Sequence, residues 1–132
     1  MFERSVVMTA ACLEIAAGAA LVAGPGVVCR LLLATDPEGV GITLARFAGV
    51  GLLALGIACL PSTVTGSRRS TLLGLLVFNL GVVILFTSVG IVAAPHGVLL
   101  WPAVVLHAVI AAALLPQLLT PRTGELPGLT RR

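Results

Sequence analysis

Four side chains carry chemistry into stretches that otherwise avoid water. Glu14 stands in the middle of the run from Thr9 to Leu21, among Ala, Leu, Ile, Cys and Gly. Arg46, Asn79 and His107 each interrupt a later apolar run. An acid, a guanidinium, an amide and an imidazole are complementary: they can form an ion pair, pass a proton, or hold the polar head of a small molecule. A charge at the centre of a bilayer costs roughly 2.5–3.5 kcal/mol on insertion scales, so such groups are expected to find partners. Two arrangements are open: a Glu14–Arg46 ion pair, or a protonated Glu14 hydrogen-bonded to His107 or Asn79. Which of these holds depends on burial: desolvation favours the neutral acid, and a nearby guanidinium favours the carboxylate.

The elements that must position these groups follow from composition. Of 132 residues, 58% are hydrophobic and 10% are charged, against about 25% charged in soluble domains. That leaves too little polar surface for a water-soluble core and points to an integral membrane protein. Four apolar runs, residues 5–23, 41–60, 71–93 and 98–119, each match the roughly 20 residues that a bilayer core demands. The fold class expected is an all-α, four-transmembrane-helix bundle, residues 1–119. Gly24-Pro25-Gly26, Pro61-Ser62, Ala94-Pro95-His96-Gly97 and Pro121 punctuate it. Pro102 falls in a first turn, where its missing N–H does no harm, and Pro116 is expected to kink the last helix. Residues 27–33, in the first outer loop, are apolar but too short to span. They suit an interfacial or re-entrant helix, or a hydrophobic loop on the bundle top. Residues 120–132 lack periodicity and read as a loosely ordered cytoplasmic tail.

Helical rise places the four groups in depth. Glu14 lies about 14 Å and Asn79 about 12 Å from the inner ends of their helices, and Arg46 about 8 Å from an outer end. His107 is near mid-span. Spacing places them on faces. Ala10, Ala11, Ala17 and Gly18 share Glu14's stripe, Ala45, Gly49 and Gly56 flank Arg46, and Ala103 and Ala111 flank His107. Small residues permit close backbone approach, so these stripes read as helix–helix interfaces. Asn79 has bulkier neighbours, Leu75, Leu76, Val82 and Val83.

Arginine distribution gives orientation. With the N-terminus inside, Arg4, Arg68, Arg69, Arg122, Arg131 and Arg132 are cytoplasmic and Arg30 is outside, so both termini are expected to be cytoplasmic. The first run reads as a retained span rather than a signal peptide, because Glu14 breaks its core and Glu3 with Arg4 replaces a basic cluster. Scattered arginines without interleaved aromatics argue against nucleic acid. Cys12, Cys29 and Cys59 form no C-x-x-C or metal spacing. His96 reads as a solvated turn residue, and Trp101 as an anchor at the headgroups. Ser62, Thr63, Thr65 and Ser67 form a polar loop. No catalytic motif or phosphate loop is present, so no enzyme is expected.

The stretch from Leu44 to Gly56, with Arg46, Gly49 and the Leu53-Ala54-Leu55-Gly56 run, is similar to the second helix of DoxX-like small bacterial membrane proteins, and the four-span layout matches as well. The resemblance implies a four-helix bundle, and, through some members, a link to quinone-dependent electron-transfer complexes. A single glutamate in the first of four helices also looks like the small multidrug resistance transporters, in which it exchanges protons for cationic drugs. This chain departs from them in lacking Tyr and in holding its one Trp at a membrane edge. The function expected is a small membrane protein with an intramembrane polar site at Glu14, Arg46, Asn79 and His107. That site would bind a small polar or quinone-like headgroup, or serve as an accessory to a larger complex. No other cofactor is expected; partners are the bilayer, another membrane protein or a second copy. The alternatives are a proton-coupled exporter and a purely structural subunit.

Overall fold

The computed structural model describes residues 2–60, 68–92 and 95–119. Five helices form: α1 (Phe2–Ala23), α2 (Pro25–Leu33), α3 (Val40–Cys59), α4 (Arg68–Val92) and α5 (Leu100–Leu119). Of these, α1, α3, α4 and α5 are long and apolar enough to cross a membrane, each within a few residues of an expected span. Much of their apolar surface faces outward: Phe47 is 75% exposed, and Val77, Ile84 and Ile91 are similarly bare. Such a surface suits lipid and not water. The polar loop at Ser62 to Ser67 and the tail at 120–132 lie outside the described residues.

Local chemistry sets the helix ends. The Gly24 N–H bonds the Ala20 carbonyl at 2.8 Å to close α1, and Pro25 opens α2 at once with its φ already helical. The 27–33 segment is thus helical, as one of its two readings had it. Ala34 ends α2 in the left-handed region at φ 53°, its N–H bonding the Arg30 carbonyl at 3.1 Å. Gly39, at φ 51° and ψ −116°, turns the chain into α3 through a conformation open mainly to glycine. Leu60 is extended, as a residue preceding a proline must be.

The long helices associate as two antiparallel pairs, α1 with α3 and α4 with α5. The first pair packs backbone against backbone. A Cβ on Gly18 would stand 2.7 Å from the Gly49 carbonyl oxygen and 2.8 Å from the Leu53 nitrogen, and one on Gly56 would stand 2.8 Å from the Ala11 carbonyl oxygen. Of the small-residue stripes of the sequence, Ala10, Ala11, Gly18, Gly49 and Gly56 are buried, whereas Ala17 is exposed and Ala45 and Ala103 are half-buried. The second pair meets through large side chains, with Leu72, Leu75 and Leu114 buried between the helices. All four long helices join around Ala10, Ala11, Cys59, Leu72, Leu75, Ile110 and Leu114, toward the end where α1 begins and α3 ends.

At the opposite end, α2 ties the pairs together. The connector between α4 and α5 donates two backbone hydrogen bonds to its last turn, Gly97 N–H to the Leu32 carbonyl at 3.0 Å and Leu99 N–H to the Leu31 carbonyl at 2.8 Å. These carbonyls are among those a helix end leaves unmatched. The approach is so close that any side chain at position 97 would overlap the Leu31 and Leu32 backbone.

Candidate functional site

One helical turn beyond the apolar cluster lies a polar layer. The register follows from neighbours: Gly18 opposes Gly49 and Leu53, and Ala11 and Ile15 oppose Gly56. Glu14, between them on α1, is therefore level with the 53–56 stretch of α3. Asn79 is one turn beyond Leu75 on α4. His107 is about one turn from Ile110 and Ala111 on α5, which runs the other way. Glu14, Asn79 and His107 thus occupy one level of the bundle, on three helices.

Asn79 and His107 satisfy one another. Asn79 Nδ2 donates to the Leu75 carbonyl of its own helix at 2.8 Å, and its Oδ1 lies 2.7 Å from His107 Nδ1. Because Oδ1 is an acceptor, Nδ1 carries the proton and donates. Phe78 presses edge-on against the imidazole, ring centroids 6.0 Å apart at 73°, and holds its plane. Asn79 is fully buried despite its bulky surround, and His107 is half-buried.

Glu14 is different. It is 2% exposed, and its Oε1 has no hydrogen-bond partner. The Glu14–Arg46 ion pair expected from the sequence is not formed. Among the described residues the ion pair is Arg30 to Asp36, at 2.9 Å on the exposed side of α2. Arg46 is exposed on α3. It sits seven residues before Leu53, hence about 10 Å along the axis from the glutamate's level. Neither does the amide or the imidazole cap Oε1: Asn79 Nδ2 donates to the Leu75 carbonyl and His107 Nδ1 to Asn79 Oδ1, and Oε1 has no partner among the described residues. The expected quartet resolves into a bonded pair, an unmatched acid and a distant cation.

Cys59, read in the sequence as a cysteine without metal spacing, is buried on α3 in the apolar cluster. One polar feature went unread in the sequence. Gln117, next to the helix-interior Pro116, sends Nε2 to the Ala113 carbonyl at 2.9 Å and buries an unpartnered Oε1. Its signal was an amide one residue after a proline that already disturbs the backbone ladder. Away from this layer, Trp101 Nε1 donates to His96 Nε2 at 3.3 Å, so the exposed turn histidine also bonds the tryptophan beside it. Among the described residues, no three of His, Cys, Asp and Glu gather as metal ligands would.

Compared with known proteins, the chain matches no family model, no curated protein and no solved structure.

Proposed function

We propose that this chain is a multi-pass protein of a bacterial cytoplasmic membrane, with both termini on the cytoplasmic side, whose interior binds the polar head of a small apolar molecule at Glu14 and the Asn79–His107 pair. It acts as a binding or accessory component and not as a classical enzyme. The observation that carries this reading is Glu14 itself. Burying a carboxyl oxygen without a partner is costly, and native structures rarely do so without a use for the group. Ionisable residues inside membrane bundles mark ligand and proton paths more often than scaffolding. The similarity of the 44–56 stretch to DoxX-like proteins supports a quinone-like head among the candidates. The test is to purify the chain in mild detergent and identify co-purifying molecules by mass spectrometry. A small molecule retained by the wild type, and depleted in Glu14→Gln while helicity and melting are preserved, is the expected result. Identical retention in both proteins refutes the reading.

One observation favours a second reading, a proton-coupled exporter of cations: Arg46 does not stand beside Glu14, so its charge does not guard the acid against a positive substrate. That reading requires substrate-dependent proton flux in liposomes, lost in Glu14→Gln.

A further inference from the structure

Resting on the binding reading above, we infer that the occupant of the Glu14–His107 layer is a hydrogen-bond donor: an apolar body that carries an O–H or N–H head.

The argument begins at the backbone. The Leu75 carbonyl lies 2.8 Å from one terminal atom of the Asn79 amide. Two oxygens at that distance would repel, so that atom is the nitrogen and the amide is fixed. Its oxygen then faces His107 Nδ1 at 2.7 Å, which fixes the proton on Nδ1. In the neutral imidazole the other ring nitrogen, Nε2, carries a lone pair and can only accept. A carbonyl of α4 thus dictates, through one amide, what the imidazole offers. Glu14 offers the same kind of atom. An ionised carboxyl has two acceptor oxygens, and a protonated one keeps an acceptor beside its O–H. Its buried Oε1 has no partner among the described residues.

At this level the bundle therefore presents acceptors from α1 and α5. A head that holds only acceptors, such as an ether, a ketone or an oxidised quinone, sets lone pair against lone pair at the imidazole, so of the quinone-like heads in the binding reading the reduced quinol, with its O–H groups, is the one that fits. A head with a donor satisfies an otherwise costly buried oxygen. The rest of the layer selects the body. One turn away lies the apolar cluster that contains Leu75, with Leu55 and Leu76 packed against it, so a hydrocarbon body suits this neighbourhood.

The test uses the full chain in lipid nanodiscs with two matched pairs of probes. Decanol is compared with decyl methyl ether, and decylammonium with decyltrimethylammonium. Within each pair only the donor differs, and the second pair separates a charged source of that donor from a neutral one. Binding is read from the His107 Nε2 resonance and from the melting temperature. The donor-bearing member of at least one pair should bind about ten-fold more tightly than its twin, the worth of one hydrogen bond to a buried group. The preference should collapse in Asn79→Leu, where the imidazole proton can move to Nε2, and in Glu14→Leu. Equal binding within both pairs overturns the inference and leaves the binding reading intact. Failure of all four probes to bind overturns both.

Discussion

The two helix pairs solve the same problem by opposite means. Between α1 and α3, glycine and alanine let the backbones touch, and the energy lies in close main-chain packing. Between α4 and α5, leucines fill the gap and a bonded Asn79–His107 pair sits among them. The unmatched acid belongs to the first pair and the matched polar residues to the second. A seam of small residues has no side chain long enough to answer a carboxyl, whereas an interface of large side chains can include its own partner. The acid's Oε1 is thus left without a partner among the described residues, while the amide and imidazole of the other pair bond each other.

The largest expected effect breaks the seam. Gly18→Val drives a branched side chain into the Gly49 and Leu53 backbone and should cost about 3 kcal/mol or more. Gly81→Val on α4, where a Cβ meets nothing within 4 Å, should change stability by less than about 1 kcal/mol. Equilibrium unfolding of both variants in mixed detergent compares them. If the two lost equal stability, the contrast between the pairs would not hold.

Next in size is the network. Asn79→Leu removes the acceptor of the imidazole N–H and should cost about 2 kcal/mol by the same measurement. Glu14→Leu should act with the opposite sign, leaving stability unchanged or raising it by about 1 kcal/mol, because it removes a buried oxygen that nothing answers. A loss as large as that of Asn79→Leu would make the acid a structural group. The smallest effect is expected on α2, where Arg30 and Asp36 pair at 61% exposure each. Asp36→Ala should shift the melting midpoint by the equivalent of less than about 0.5 kcal/mol, and salt should erase even that.

Much of the architecture could be read in advance because length and apolarity are sufficient signals for a membrane-crossing helix. The small-residue stripes around Gly18, Gly49 and Gly56 gave the seam for the same reason: few other residues permit such an approach. Arg46 shows where periodicity fails. It is three positions from Gly49 and shares a broad face with it, yet it lies outside the buried strip. Whether α1 sets Glu14 against residue 46 or residue 54 of α3 depends on how the helices slide, and no single-helix pattern encodes that. Asn79 and His107 were recognisable as polar groups of compatible chemistry. Their choice of each other over Glu14 follows from α4 and α5 pairing directly. The tie between α2 and the 95–99 connector was the least legible part, since backbone hydrogen bonds leave little trace in side-chain types beyond a glycine at position 97.

That tie bears on how the molecule is made. The carbonyls of Leu31 and Leu32 emerge from the ribosome some 65 residues before the Gly97 and Leu99 amides that answer them. Until then the first three helices present a short rod with an unfinished end, dependent on water or lipid headgroups. A fragment stopped after α4 keeps that defect permanently. The half of the protein made first is therefore completed by a loop made nearly last, and insertion of α5 closes the molecule as well as lengthening it.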